Sequence, residues 1–183
     1  MANYVTITEL KAYGKLDNAS TDTLNLIISA ASLAIDNYCG RTFTYSGATV
    51  RSFSRYGVVR DAVVGRLLLF DEDLASEALV ISDNPTVQYL PENDPPYYGM
   101  ILVEGSWTYP TVTISGYWAY SETPPDDIKM ACLALCEWMY DQRDTTEGTN
   151  VVVTLEGQVL LPQGLPSFIR TLLDAGYRKT RVA

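Results

Sequence analysis

Apolar residues recur at the helical period in two long segments of the chain. The first begins at a Ser20–Thr21 N-cap and ends at Gly40, with apolar positions at Leu24, Ile27, Ile28, Ala31, Ala34, Ile35 and Tyr38. The second follows the helix-start signal Pro124–Asp127, with apolar positions at Ile128, Ala131, Cys132, Leu135, Trp138 and Met139. This pattern predicts two amphipathic helices, over about residues 21–38 and 126–143, whose apolar faces pack against each other.

Two shorter helices are predicted near the two ends of the chain. Thr6 and Glu9 fit a capping box, and the helix that they start is predicted to end at Gly14. The other helix is predicted to end at Gly176. Residues 177–183 show no periodicity, so the sequence predicts a mobile C-terminal tail.

The residues between the two long helices are rich in Thr, Val, Tyr, Gly and Pro, as strands and turns are. Candidate strands are Thr49–Phe53, Leu67–Phe70, Leu79–Ile81, Val87–Leu90, Met100–Val103 and Thr111–Tyr117. The last is the clearest, because Val112 and Ile114 alternate with hydroxyl residues as in a sheet with one wet face. Val151–Leu161 adds a predicted hairpin that turns at Glu156–Gly157.

These patterns together predict one α+β domain over residues 1–183. The predicted architecture is an antiparallel helical scaffold of two long helices plus shorter terminal helices. A β-rich insert at residues 41–123 lies between the long helices, and a β-hairpin lies near the C-terminus.

The composition is that of an ordinary globular protein. The chain has 183 residues, of which 47% are apolar and 19% are charged, so it can bury a sizeable core. Its longest apolar stretches, such as Val63–Phe70, are far shorter than the about 20 residues that a bilayer crossing needs. The first residues lack the basic and apolar regions of a signal peptide. We therefore expect a soluble protein of the cytoplasm.

The chain contains no histidine, which removes the usual general base and the commonest metal ligand. Histidine-dependent triads and HExxH zinc sites are therefore excluded, and no phosphate-binding glycine motif is present. Asp71–Asp73 is the densest carboxylate cluster, but three consecutive residues cannot converge on one ion, so a solvated turn is favoured over a metal site. Cys39, Cys132 and Cys136 lack disulfide or zinc spacing and are expected to be buried. The sequence thus predicts no enzyme activity, no cofactor and no metal.

Charge is unevenly distributed along the chain, whose net charge is −9. Five arginines and one carboxylate lie between Arg41 and Arg66, whereas fifteen carboxylates lie between Asp71 and Glu147. A general nucleic-acid binder needs a basic face, so this balance argues against one. It suits a surface past which DNA slides without binding, because like charge prevents phosphate contacts.

Several motifs follow one another in a set order along the chain. They are Leu26–Ser32 leading into Ile35–Phe43, then Tyr89–Asn93, Val112–Tyr120, Pro124–Ala131 and Tyr140–Arg143, with a final block at Leu165–Arg178. Their order and spacing resemble the head-tail connector (adaptor, or head-completion) family of tailed bacteriophages. Two departures from the family pattern are Ala119, where glycine is expected, and the hairpin of Val151–Leu161, which replaces a shorter connection.

The resemblance implies a virion structural protein that forms a ring of about twelve copies beneath the portal. Such a ring extends the DNA channel, lets DNA pass without specific binding, and offers a platform to a stopper or tail-completion protein. The portal receives the C-terminal end of related connectors, which gives a candidate portal-binding tail of Tyr177, Arg178, Lys179 and Arg181. The implied location is the host cytoplasm during assembly and then the head-tail interface of the virion.

The opposed charges of the two stretches suggest how neighbouring subunits of such a ring would pair. Basic residues of the first stretch would face carboxylates of the second across a head-to-tail contact. The candidate ring interface is Arg51, Arg55, Arg60, Asp71 and Asp73.

An alternative is a phage baseplate or sugar-binding module that uses the aromatic-rich insert. The aromatic residues in question are Tyr97, Tyr98, Trp107, Tyr109, Tyr117, Trp118 and Tyr120. Strands are naturally rich in aromatics, so core packing is the simpler explanation for most of them. Saccharide binding by a monomer would favour the module, whereas self-association or portal binding would favour the connector.

Overall fold

The computed structural model describes residues 3–54, 63–64, 66–107, 111–142, 152–153, 159–160, 165–174 and 176–178. The chain divides into two compact units. The helical unit combines Met1–Gly40 with Pro124–Ala183, and the β unit is Arg41–Thr123.

Four helices make up most of the described part of the helical unit. They are α1 (Ile7–Gly14), α2 (Thr21–Cys39), α3 (Asp126–Gln142) and α4 (Ser167–Asp174). Helix α3 contacts each of the other three, and the side chains buried in this unit include Leu10, Leu24, Ile28, Ile35, Ile128, Leu135, Ile169 and Leu173. The predicted packing of the two long amphipathic segments is confirmed, because α2 and α3 contact each other and bury their apolar positions. No helix among the described residues combines the length and apolar character needed to cross a bilayer.

The ends of α1 and α2 show which residues act as caps. Thr6 and Glu9 form the predicted capping box: the Thr6 N–H donates to Glu9 Oε2 over 2.6 Å, and the Glu9 N–H donates to Thr6 Oγ1 over 3.2 Å. The hydrogen bonds from the Thr6 backbone and hydroxyl lower the pKa of Glu9. Gly40 ends α2 in the left-handed region, at φ 66°. Lys15, at φ 53°, does the same for α1, so this helix includes Gly14 and ends one residue later than predicted.

Polar side chains fasten the N-terminal segment of the helical unit to α2. The Tyr4 N–H donates to Ser32 Oγ over 3.2 Å, and the Tyr4 hydroxyl donates to Asp36. Ser32 Oγ lies 3.8 Å from Cys132 Sγ, where α2 meets α3. All three cysteines are buried and free of disulfides, as predicted. A hydrogen bond with Cys132, reinforced by burial, raises the pKa of the Cys136 thiol, so this thiol stays protonated and unreactive.

Two antiparallel sheets form the described part of the β unit. Their strands are β1 (Thr49–Ser54), β2 (Val63–Val64), β3 (Leu67–Leu74), β4 (Val80–Ile81), β5 (Thr86–Leu90), β6 (Tyr97–Glu104) and β7 (Thr111–Gly116). The three-stranded sheet has the order β1-β7-β4, and the four-stranded sheet has the order β2-β3-β6-β5. Strand β7 is central in the first sheet, since Ser115 pairs with Val50 on one side and with Val80 on the other.

The two sheets share one hydrophobic core within the β unit. Alternation along each strand directs every second side chain into this core. Phe70 meets Trp118 edge to face, with ring centroids 5.2 Å apart. The core residues are Phe53, Leu68, Phe70, Leu74, Tyr97, Met100, Leu102, Trp107, Val112, Ile114 and Trp118.

A short antiparallel ladder pairs β8 (Val152–Val153) with β9 (Val159–Leu160). It falls inside the segment for which a hairpin was predicted. The predicted turn at Glu156–Gly157 lies outside the described residues.

The predicted architecture, an antiparallel scaffold of two long helices with a β insert, is wrong. In the described residues the protein is a β-rich mix of four helices, 8 to 19 residues long, and antiparallel sheets. The strands of residues 41–123 bury a core of their own between two sheets. Period-two patterns mark strands but not the pairing that closes a core, so they did not indicate that these strands form a unit with a core of its own.

Candidate functional site

Two arginines of the β unit each lie between a carboxylate of β3 and an aromatic ring that follows β7. The first is Arg41, whose Nε is 3.5 Å from Asp73 Oδ2 and whose guanidinium is 5.3 Å from the centre of the Tyr120 ring. The Arg41 side chain is 14% exposed and that of Asp73 only 4%, so the pair is largely shielded from water. Such a pair is costly to break, because removing one partner leaves the other charge buried.

Arg51 repeats this arrangement at a more exposed position. Its Nη2 donates to Glu72 Oε2, and its guanidinium is 4.9 Å from the centre of the Trp118 ring. The Trp118 indole N–H donates to the Thr49 carbonyl over 3.1 Å, which fixes the ring beneath the arginine. Arg51 and Glu72 are 31% and 40% exposed, so solvent screens their attraction and the pair contributes less than Arg41–Asp73.

Backbone hydrogen bonds hold the segment that carries both aromatic rings. The Tyr120 N–H donates to the Thr42 carbonyl over 2.9 Å, and the Ala75 N–H donates to the Tyr117 carbonyl over 2.8 Å. Each aromatic ring is therefore a fixed platform for its arginine, and both arginines are engaged by the β unit's own side chains.

The described residues of the candidate ring interface, Arg51, Asp71 and Asp73, differ in burial and in their partners. Arg51 pairs with Glu72 and Asp73 pairs with Arg41, so β3 sends consecutive carboxylates to different partners. Asp71 is exposed on the same strand. Arg55 and Arg60 lie outside the described residues. Pairing of these charges between subunits stays a prediction.

No group of three metal-ligating side chains occurs in the part of the chain that the structure describes. Within the carboxylate cluster Asp71–Asp73, Glu72 and Asp73 pair with different arginines rather than converging on one point. The chemistry of this region is therefore that of ion pairs and cation–π contacts.

The aromatic side chains of the β unit mostly fill its core. Tyr97, Trp107 and Trp118 are buried, and Tyr89 stacks on Tyr97 with centroids 4.7 Å apart. Tyr98 is exposed, and Tyr109 lies outside the described residues. Core packing, the simpler explanation offered by the sequence, is confirmed for the three buried rings.

The first residue of the candidate portal-binding tail contacts the helical unit. The Tyr177 N–H donates to the Leu173 carbonyl over 3.2 Å, which continues the last turn of α4. The Tyr177 hydroxyl donates to Asp127 Oδ2, over 3.3 Å, at the start of α3. Tyr177 thus joins the end of α4 to the beginning of α3.

The second tail residue, Arg178, lies in a small cluster with α2 and α4. Its Nη1 is 3.8 Å from Asp174 Oδ1, and its guanidinium is 5.1 Å from the centre of the Tyr38 ring. The Tyr38 hydroxyl donates to the same carboxylate oxygen over 2.9 Å. Burial, reinforced by this hydrogen bond to Asp174, raises the pKa of Tyr38. Lys179 and Arg181, the other two tail residues, lie outside the described residues.

Sequence reasoning missed the partners that hold these groups. In the sequence Glu72 stands out as part of a carboxylate cluster, Trp118 and Tyr120 as part of an aromatic-rich insert, and Tyr38 as part of an apolar helix face. Their partners are far away in the chain, so no local spacing marks them. The available signal was that strands join distant segments, which makes any charge in a strand a candidate for a cross-strand partner.

Comparisons with known proteins identify the fold through solved structures. No protein-family profile matches the sequence, and no curated protein matches it. A chain from the neck of an empty GTA (gene transfer agent) particle, computed with C6 symmetry, is 13% identical and aligns with a TM-score of 0.64. That alignment covers 98% of this chain and 92% of the other. A chain from the neck of a native GTA particle, computed with C12 symmetry, is 16% identical, with a TM-score of 0.53, and the alignment covers 100% of this chain and 97% of the other.

At this level of identity the likeness shows the fold. The fold is one that occurs in the necks of phage-like particles, and the alignment spans nearly the whole chain. The resemblance to head-tail connector proteins is confirmed at the level of the fold by these structural neighbours.

Proposed function

We propose that this protein is a structural subunit of the neck of a tailed phage or phage-like particle, without catalytic activity. The observation that carries the proposal is the fold, because 98% of the chain aligns with a chain from the neck of a GTA particle. The protein would act in the virion, at the junction of head and tail, after assembly in the host cytoplasm. The absence of histidine from the chain fits a structural rather than a catalytic role.

The proposed assembly is a closed ring of about twelve subunits that docks under the portal. The C6 and C12 symmetries of the similar necks support a ring with rotational symmetry. In such a ring each subunit uses two different faces, one for each neighbour. The ring would offer its free side to a stopper or tail-completion protein.

The charge of the chain supports a place along the path of the DNA. The net charge is −9, and fifteen carboxylates lie between Asp71 and Glu147. A wall rich in carboxylates repels phosphate, so DNA passes without forming contacts that release counterions. The sugar-binding alternative has less support, because Tyr97, Trp107 and Trp118 are buried in the core of the β unit.

Co-expression with the portal protein of the same particle tests the proposed role. We expect the two proteins to co-purify, and electron microscopy of the complex to show a ring of this protein on one face of the portal. A carbohydrate-binding array tests the sugar-binding alternative, and a divalent-metal titration tests for a metal site at Asp71–Asp73. Failure to bind the portal, together with saccharide binding by a monomer, would contradict the connector role.

The basic end of the chain is proposed to contribute to portal binding. Replacing Lys179 and Arg181 with Ala should weaken portal binding without changing the melting temperature, since basic side chains suit an acidic partner and raise the encounter rate. Replacing Lys11 and Lys15 with Ala removes the same charge from the helical unit and serves as the control. Portal pull-down at increasing salt measures the effect. Equal binding by the two double variants would show that the portal contacts another surface.

A further inference from the structure

The outer face of the four-stranded sheet in the β unit is apolar. Along β3, Leu68 is buried in the core, whereas its neighbours Leu67 and Leu69 point to the opposite face. On β6, Met100 and Leu102 are buried in the same way, and Ile101 and Val103 point outward. Leu67–Phe70 of β3 and Gly99–Val103 of β6 are therefore apolar on both faces, although the core needs only one.

The strand register places these outward side chains next to each other. Leu67 pairs with Ile101, and Leu69 pairs with Gly99, whose other neighbour is Leu90 of β5. Residues directly opposite in antiparallel strands lie on the same side of the sheet and touch. We call the set of Leu67, Leu69, Leu90, Gly99, Ile101 and Val103 the outer apolar face.

Gly99 makes the middle of this face flat. A Cβ atom at Gly99 would lie 2.7 Å from the Leu68 carbonyl oxygen and 3.2 Å from Leu69 Cδ2, so no larger residue fits without a shift. Leu69 therefore lies across the backbone of β6. Leu69 and Val103 are nevertheless 41% and 44% exposed, so the subunit's own chain leaves this face partly open.

The other sheet of the β unit provides a contrast. Its outward residues include Ser52, Thr113 and Ser115, as expected for a face in contact with water, and its exposed apolar residues are Val50 and Val80 on the two outer strands. On the outer apolar face the carboxylate of Asp71 stands at one end, and the centre, where Gln88 of β5 pairs with Ile101, is uncharged. A continuous apolar patch of this kind marks an interaction surface in a soluble protein.

We infer that the outer apolar face is the surface through which one subunit contacts the next copy of this chain in the ring. The inference rests on the proposed function, which requires identical subunits to lie side by side. Copies that each carry a net charge of −9 repel one another, so their contact is favoured where charge is lowest. Arg51 and Asp73 already have partners within their own subunit, whereas the outer apolar face gains free energy when a second copy buries it.

Self-association of the purified full-length chain tests this inference. Sedimentation velocity over a range of protein concentrations is compared for the wild type, Leu69→Lys, Val103→Lys and Val50→Lys. Val50 is the matched control: it is an apolar residue of a strand, 69% exposed, on the outward side of the three-stranded sheet. We expect Leu69→Lys and Val103→Lys to weaken association by about tenfold or more, because each removes one buried apolar side chain from the contact. Val50→Lys should associate like the wild type.

Two further measurements keep the outcomes distinct. Thermal melts of the variants check that the fold is intact. If Val103→Lys fails to fold, Val103→Thr takes its place, because it keeps the shape of the side chain and replaces one methyl by a hydroxyl. It should weaken association by less than a lysine would. Association of the wild type should persist from low to high salt, since salt screens ion pairs but not apolar burial.

The inference is overturned if the wild type stays monomeric at every concentration, if Val50→Lys weakens association as much as the other two lysine variants, or if association is abolished by salt. Portal-bound rings separate this inference from the proposed function. Normal portal-bound rings of Leu69→Lys and Val103→Lys would contradict contact through the outer apolar face and leave the connector role intact. If the wild-type protein forms no ring on the portal, the connector role itself is contradicted.

Discussion

Replacing Ile28 with Asp is expected to lower the free energy of unfolding of the helical unit by about 4 kcal/mol or more. Ile28 is fully buried on α2, which packs against α3. A carboxylate there would lose its hydration without gaining a partner, and the lost apolar burial adds to the cost. Folded domains are stable by only about 5–15 kcal/mol, so this single change removes a large share of the stability.

The same change on the other helix, Leu135→Asp, should have a similar effect, because Leu135 is fully buried on α3. Leu26→Asp and Met130→Asp are the matched controls, since Leu26 and Met130 are exposed apolar residues on the same two helices. Each control should change stability by no more than about 0.5 kcal/mol. Urea titrations followed by circular dichroism measure all four variants. A midpoint for Ile28→Asp equal to that of Leu26→Asp would contradict the packing of α2 on α3.

Hydrophobic periodicity was enough to find the helices that these variants probe. The run of apolar residues from Leu24 to Tyr38 predicted α2 almost to the residue, and Gly40 ended it for the expected reason. Helix α1 ended one residue later than predicted, because Lys15 adopts the left-handed conformation that glycine usually supplies. Apolar spacing and helix-ending residues act between neighbours a few positions apart, and the helices that they define were predicted to within one residue at these ends.

The arrangement of the strands could not be predicted in the same way. Strand β7 pairs with β1, about sixty residues earlier, and with β4, and neither neighbour is adjacent to it in the chain. Alternation of residues marks a strand but carries no information about its partner. The prediction therefore treated residues 41–123 as an insert in a helical scaffold, whereas these residues close a core between two sheets.

The candidate site shows the same limit at the level of single residues. The sequence revealed a basic stretch and an acidic stretch, and it predicted that they would pair between subunits. The fold joins Arg41 to Asp73 and Arg51 to Glu72 inside one subunit, and pairing between subunits stays a prediction. The continuous run Leu67–Phe70 did contain a usable signal, because a strand that is apolar at every position has two faces to bury.

The buried arginine pair allows a sharp test of these side-chain networks. Asp73→Ala is expected to destabilise the β unit by about 3 kcal/mol, because it leaves the Arg41 guanidinium largely out of water without this carboxylate. The Tyr120 ring offsets a part of this loss, since its face still attracts the cation at 5.3 Å. Arg41→Ala should cost at least as much, because the Asp73 side chain is the less exposed of the two.

Glu72→Ala provides the control, because Glu72 occupies the neighbouring position on β3 and pairs at greater exposure with Arg51, which also lies over an aromatic ring. We expect it to cost no more than about 1 kcal/mol, and less at high salt, since solvent and ions screen an exposed pair. The double variant Arg41→Met with Asp73→Leu should recover much of the stability lost in either single variant, because apolar side chains of similar size avoid the desolvation of charge.

The comparison of the four variants by urea unfolding also decides how charge reversals in this region are to be interpreted. If Asp73→Ala is strongly destabilising, a ring lost on reversing Arg51 or Asp73 can reflect damage within the subunit, and only variants that keep the wild-type melting temperature report on contacts between subunits. If Asp73→Ala and Glu72→Ala both leave the midpoint unchanged, the arginine pairs do not stabilise the β unit. Charge reversal at Arg51 or Asp73 would then leave the fold intact, so the rings formed by such variants would test lateral pairing directly.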